Sequence, residues 1–147
     1  MKNNIIVSTP IIEGPIIFWN IKELEIICQI KDFYGGVLFH LKKLSNRLFI
    51  LGGIEYLYLF SSLKYNLVNK IEINSIFRSI CCLPDGSILT GHKDGKIMQY
   101  NLINNELKCV GEKKYHNDWI KAIIHIKEDL IISSSDDKKI NIYKKSK

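Results

Sequence analysis

The sequence predicts an all-β chain built from repeated antiparallel sheets. Aromatic residues that end an apolar run recur at separations of 41, 40 and 43 residues, at Trp19, Phe60, Tyr100 and Tyr143. Isoleucine and tyrosine, which favour strands, are abundant, and turn-forming residues stand between the short apolar runs. The length of 147 residues is sufficient for one domain with a substantial core. A period near 40 residues therefore predicts one domain of repeating sheets.

The clearest repeat pairs residues 76–102 with residues 118–145. Each segment contains three short apolar runs, and the last run of each alternates with the period of two that a strand with two distinct faces requires. Asp94-Gly95 is typical of the tight turn between two such strands. Each segment is therefore predicted to fold as a meander of three antiparallel strands.

Weaker copies of the same pattern precede these two segments, and the apolar runs between the units are predicted to be outer strands. We therefore divide the chain into a half unit, two complete four-stranded units and a last unit without its outer strand. These units occupy residues 1–30, 36–73, 76–111 and 116–145.

Four-stranded units of this length, with an aromatic residue closing the third strand, resemble the WD40 repeat of β-propellers. In that family an acidic turn residue stands six positions before the closing Trp. Ile54 occupies that position before Phe60, and the other three units keep an acidic residue there: Glu13, Asp94 and Asp137. The opening histidine of the family is present once, as His116, and the closing Asp is absent. The resemblance implies WD40-like blades of four antiparallel strands in an incomplete ring, acting as a non-enzymatic scaffold for protein–protein interaction.

The same resemblance implies a structural role for polar residues that otherwise suggest a hydrolase. His116, Ser133 and Asp137 supply the groups of a Ser-His-Asp triad, although the sequence has no G-x-S-x-G elbow. In WD40 repeats such residues form a hydrogen-bonded tetrad with the strand-end Trp, which is replaced here by Tyr143. We therefore favour a structural tetrad and keep hydrolysis as the weaker alternative. Incomplete copies without the histidine are predicted in two other units: Thr90, Asp94 and Tyr100, and Thr9, Glu13 and Trp19.

Partner contacts are expected at the residue before each turn Asp and where the chain enters each innermost strand, again by resemblance. The candidates are Lys93, Asp136, Phe77 and Trp119. His92, which stands beside Lys93 in a turn-forming segment, is expected to be exposed. A WD40 ring holds about seven blades. We therefore expect this chain to be a fragment of a longer product that completes the ring, or else half of an assembly that closes by self-association or with another chain.

Charge and cysteine content bear on the other classes of function. The net charge is +6, but the lysines are scattered along the chain, so that binding of RNA or anionic lipid is a weaker alternative to binding of a protein partner. The four cysteines lack the spacing of zinc ligands or of a disulfide framework, and no catalytic, metal or cofactor site is predicted. No signal peptide and no membrane span are recognised. An intracellular location, cytoplasmic or nuclear, is expected.

Overall fold

A computed structural model describes residues 5–9, 14–31, 38–127 and 129–144. Every regular element in these ranges is a β-strand. The strands, numbered in chain order, are β1 (Ile5–Ser8), β2 (Ile16–Asn20), β3 (Glu25–Ile30), β4 (Leu38–Lys43), β5 (Leu48–Gly53), β6 (Tyr56–Ser61), β7 (Asn66–Glu72), β8 (Phe77–Cys82), β9 (Ile88–His92), β10 (Lys96–Ile103), β11 (Glu106–Lys114), β12 (Ile120–His125), β13 (Leu130–Ser135) and β14 (Ile140–Lys144).

These strands form four antiparallel sheets, in which neighbours in sequence are also neighbours in the sheet. The first sheet contains β1 to β3, the second β4 to β7, the third β8 to β11 and the fourth β12 to β14. The four closing aromatic residues lie in β2, β6, β10 and β14. The predicted all-β chain of repeated antiparallel sheets is therefore confirmed.

Successive sheets pack face to face across apolar layers. Between the first two sheets, Phe18 meets Phe49 edge-on, with ring centroids 5.4 Å apart. Leu59 and Phe77 belong to the layer between the second and third sheets. The layer between the third and fourth sheets includes Ile131. Full burial of such a side chain contributes roughly 1.5–3 kcal/mol, so these layers hold successive sheets against each other.

The innermost strand of each complete sheet adjoins that of the next, because β4 contacts β8 and β8 contacts β12. The sheets therefore stand side by side around these inner strands. This arrangement is β-propeller-like.

One edge of the sheets carries the connections that concern function, and we call it the loop edge. It comprises the turns between second and third strands at 54–55, 93–95 and 136–139, and the connections between sheets at 73–76 and 115–119. Backbone hydrogen bonds join the two kinds of connection. Lys93 donates to the Ile76 carbonyl at 2.9 Å, and Asp136 donates to the Trp119 carbonyl at 3.0 Å. The hairpins at 44–47, 62–65 and 83–87 lie on the opposite edge.

Candidate functional site

The turn between β13 and β14 is held by the carboxylate of Asp137. Its Oδ1 accepts a hydrogen bond from the Lys139 backbone N–H at 3.0 Å, and the Asp137 N–H donates to the Ser135 hydroxyl at 3.1 Å. Asp and Ser favour tight turns because their short side chains can bond to nearby backbone groups in this way. The turn thus presents a carboxylate to the connection that precedes β12.

His116 bridges that carboxylate and Ser133. Its Nδ1 lies 3.0 and 3.1 Å from the two Asp137 oxygens, and its Nε2 lies 2.8 Å from the Ser133 hydroxyl. In the neutral ring Nδ1 donates to the carboxylate, so that Nε2 accepts from the hydroxyl. The Asn117 N–H adds a 3.0 Å bond to Asp137. We call His116, Ser133 and Asp137 the fourth-sheet network; it ties the 115–119 connection to β13 and its turn.

Burial and hydrogen bonding act on the protonation of the Asp137 carboxylate. Burial raises the pKa of Asp137, but hydrogen bonds from Asn117, Lys139 and His116 outweigh it and lower the pKa to about 2. Asp137 is therefore ionised at neutral pH and stabilised by its donors. His116 and Ser133 are only 2% and 1% exposed, so the imidazole and the hydroxyl of the network are closed to solvent.

Tyr143, predicted to complete a tetrad, lies in β14 and stacks on Tyr115, with ring centroids 4.1 Å apart. Burial raises the pKa of its hydroxyl, and the neighbouring Ser133 hydroxyl opposes this effect. Among the described residues, no hydrogen bond of good geometry reaches the Tyr143 hydroxyl. The stacking of its ring on Tyr115 is therefore a better-defined contribution to the fold than any bond of its hydroxyl.

A cavity of about 200 Å³ lies between the third and fourth sheets. Gln99, Lys113, Tyr115 and Tyr143 are among its lining residues, and Ser133 is not. The order of hydroxyl, imidazole and carboxylate matches that of a hydrolase triad. The hydroxyl nevertheless has no open path to a substrate through this cavity. Within the described ranges, no group of three His, Cys, Asp or Glu side chains is arranged to hold a metal ion.

In the third sheet, the hydroxyl residue at the equivalent position is bonded to a histidine from a different part of the repeat. Thr90 bonds to Nε2 of His92 at 2.7 Å, so the histidine comes from β9 itself rather than from a preceding connection. The expectation that His92 is exposed is wrong, because it is 1% exposed and its ring lies 5.7 Å from that of Phe77. Burial lowers the pKa of His92 to about 4, and the ring is neutral at pH 7.

The other two predicted members of this copy also make hydrogen bonds to residues outside it. Asp94 accepts from the Lys96 N–H at 3.1 Å within its turn. The Tyr100 hydroxyl donates to the sulfur of Met98 at 3.5 Å. Burial raises the pKa of Tyr100, and the Thr90 hydroxyl opposes this effect, as the Ser133 hydroxyl does for Tyr143.

In the first sheet the hydroxyl partner is one residue away from the predicted one. The Trp19 indole N–H donates to Ser8 at 2.8 Å, and not to Thr9. Ser8 lies opposite Ile17, as Thr90 lies opposite Met98, in each case two residues before the closing aromatic. Ser8 is therefore the equivalent residue, which corrects the prediction. Glu13 lies outside the described residues.

The second sheet carries no polar network at this position. The equivalent residue is Leu51, opposite Tyr58, and both Leu51 and the closing Phe60 are fully buried. The connection at 54–55 is shorter than its counterparts at 93–95 and 136–139. Ile54, in place of the acidic residue, belongs to this shortened turn.

Three of the four candidate contact residues reach the surface at the loop edge. Lys93 and Asp136 are exposed, and Trp119 is half-buried. Phe77 is fully buried in the layer between the second and third sheets, so it cannot contact a partner at the surface, and this candidate is corrected.

Two residues that the sequence did not single out complete the surface around Trp119. The Arg78 guanidinium lies 4.4 Å from the centroid of the indole ring, and Lys121 pairs with Asp136 at 2.7 Å. The signal that could have found them is their repeat position, because each is the second residue of an innermost strand.

The chain was compared with known proteins. No family model matches it, and no curated protein matches its sequence. Its fold is similar to the crystal structure of the computationally designed Ika4 protein, with 14% identity, a TM-score of 0.80, and coverage of 98% of this chain and 87% of that one. The designed Ika8 protein gives 15% identity and a TM-score of 0.77, covering 98% of this chain and 44% of that one. A chain of a mitotic checkpoint complex gives 10% identity and a TM-score of 0.83, covering 98% and 48%.

At such low identity these similarities concern the fold alone. Together with the four stacked sheets, they define the chain as an all-β, β-propeller-like protein. The chain spans most of one matching chain but less than half of the other two. No helix within the described ranges is long and apolar enough to span a membrane.

Proposed function

We propose that this chain is a WD40-type scaffold for protein–protein interaction and not an enzyme. The main support is the fourth-sheet network, whose His116 and Ser133 are buried and whose hydrogen bonds join the 115–119 connection to β13 and its turn. A nucleophile must reach its substrate, whereas a buried and satisfied network stabilises a fold. The WD40 resemblance gives these residues that structural role.

The loop edge is the surface that this proposal assigns to partners. Rigid sheets hold its connections, and function in such proteins resides in side chains on loops positioned by the scaffold. Lys93, Asp136 and Trp119 meet there. An intracellular location belongs to the same proposal, because all four cysteines are free thiols.

We also propose that the outer faces of the first and last sheets are covered in the working protein. Ile6 on the first sheet is 51% exposed, and Ile140 and Ile142 on the last are 71% and 64% exposed. Apolar faces of this kind pack against further sheets, from a longer chain or from a second copy. Light scattering on this chain should give more than its monomer mass of 17.0 kDa, or a longer product should remain monomeric. A stable 17.0 kDa monomer of the chain that binds no hydrophobic dye would contradict both routes.

Affinity capture tests the scaffold function. The immobilised wild type should retain at least one protein from an extract of its own cells, identified by mass spectrometry. Lys93→Glu on the loop edge should lose that protein. Lys64→Glu, a matched charge reversal at an exposed lysine on the opposite edge, should keep it. Identical sets of proteins on all three baits would exclude the loop edge as the binding surface.

A further inference from the structure

We propose that Trp119 and the three cations around it bind an acidic peptide segment. This inference rests on the proposed function, because it names the chemistry of the partner at the loop edge. The Arg78 guanidinium carbon lies 4.4 Å from the centroid of the indole ring, and the Nζ atoms of Lys93 and Lys121 lie 5.3 and 5.8 Å from it. The three cations are exposed and the indole is half-buried. We call these four residues the Trp119 patch.

The repeat geometry brings the patch together from separate parts of the chain. Phe77 and Ile120 are fully buried first residues of β8 and β12, and each lies opposite the last residue of the next strand in its sheet. The residues that follow them, Arg78 and Lys121, are therefore in equivalent places on two adjoining inner strands. Lys93 is added by the turn after β9, which is bonded to the start of β8 through Ile76.

The patch has an excess of positive charge. Lys121 is paired with the Asp136 carboxylate at 2.7 Å. In the described part of the chain, Arg78 and Lys93 have no ion-pair partner. Cations gathered around one ring repel each other. A ligand with several negative charges offsets that repulsion and is attracted by both unpaired cations, Arg78 and Lys93. The charge complementarity therefore favours an anionic ligand.

The chemistry around the indole favours a peptide over a nucleic acid. Arginine binds carboxylates through two parallel N–H···O bonds, and an indole offers apolar surface to the aliphatic part of glutamate side chains. Two exposed acidic residues lie beside Trp119. Asp118 precedes it in the sequence, and the backbone N–H of Asp136 donates a hydrogen bond to its carbonyl. They repel a continuous phosphate backbone. A peptide, in contrast, can place its carboxylates over Arg78 and Lys93 alone.

Fluorescence anisotropy with a fluorescein-labelled hexaglutamate peptide tests the proposal. The wild type should bind saturably, more tightly than it binds hexaglutamine or decauridine RNA. Arg78→Gln should weaken binding at least about fivefold, as expected for loss of a charge-assisted pair. Lys93→Gln should weaken it in the same direction. Lys64→Gln, which changes the net charge equally but lies on the opposite edge, should alter the affinity less than about twofold.

Three results would overturn the proposal: no saturable binding of hexaglutamate, equal weakening by Arg78→Gln and Lys64→Gln, or tighter binding of decauridine. Urea denaturation of each variant checks folding, and Lys93→Gln replaces Arg78→Gln if the latter unfolds. Failure here is distinct from failure of the scaffold function. If affinity capture still recovers a protein that depends on Lys93 while hexaglutamate does not bind, only the acidic ligand is excluded.

Discussion

Gly95 joins the third sheet to the fourth-sheet network, and its replacement by alanine is predicted to be strongly destabilising. Its φ of +79° lies in the left-handed region, and an added Cβ would overlap the backbone carbonyl of His116. The Gly95 carbonyl also accepts hydrogen bonds from the N–H groups of Tyr115 and His116, at 3.0 and 3.1 Å. The turn therefore cannot move away from the methyl group without stretching both bonds.

The expected magnitude follows from these contacts. A non-glycine residue in the left-handed region costs roughly 1–2 kcal/mol. Each of the two backbone bonds contributes about 1 kcal/mol. Gly95→Ala should therefore lower the free energy of unfolding by about 3–4 kcal/mol. Gly86 is the matched control, because its φ is +84° but its Cβ would meet no atom within 4 Å. Gly86→Ala should cost only the conformational part, roughly 1–2 kcal/mol.

Urea denaturation at pH 7, followed by far-ultraviolet circular dichroism, measures both free energies. Hydrogen exchange provides a second readout, because Gly95→Ala should reduce protection in the 115–119 connection and Gly86→Ala should not. If the two variants lose equal stability, contact between Gly95 and His116 is not what positions the fourth-sheet network.

Two further predictions concern the polar groups. The pKa of His92 is about 4 in the folded protein, below the ordinary 6.5, so the folded state binds fewer protons between these values and its stability should fall as the pH drops from about 6.5 to about 4. The loss should reach at most about 3 kcal/mol in urea denaturation and be reduced in His92→Gln; an equal loss in the variant would refute the assignment. Asp137, with a pKa of about 2, contributes in the same direction only at more acidic pH. Ser133→Ala should lower the free energy of unfolding by about 1–3 kcal/mol because it leaves the buried His116 Nε2 without its partner. Hydrolysis of nitrophenyl acetate should not change in this variant, and a wild-type activity abolished by Ser133→Ala without loss of stability would support the hydrolase alternative.

Strand order and the closing aromatic residues could be predicted because they depend on local alternation and on a fixed repeat length. Errors arose where the length of a connection differs by one residue between repeats. Ser8 precedes Trp19 by 11 positions, whereas Thr90 precedes Tyr100 by 10, so matching by constant spacing selected Thr9. A shift of one residue moves a side chain to the other face of its strand. The same uncertainty at a strand end made His92 a turn residue, although it is the last residue of β9.

The Trp119 patch could not be predicted from local patterns, because its members come from three separate parts of the chain. Arg78 and Lys121 lie one repeat apart, and only the contact between β8 and β12 shows that they share a surface. Lys93 and Trp119 were predicted as contacts from the resemblance alone. The charges of this surface were thus visible in the sequence only as scattered lysines and arginines.

The second sheet shows that the polar network is one of two ways to fill the same place. Leu51 replaces the hydroxyl residue, and the closing Phe60 stacks on Phe49 with ring centroids 5.2 Å apart. Burial of a leucine contributes roughly 1.5–3 kcal/mol, about as much as the loss of a buried hydrogen-bond partner costs. The apolar arrangement and the hydrogen-bonded network are therefore close in energy. Apolar filling does not tie a turn to a connection, however, whereas the network through His116 fixes the 115–119 connection on which Trp119 stands. In the fourth sheet, the polar arrangement therefore also sets the position of a surface residue.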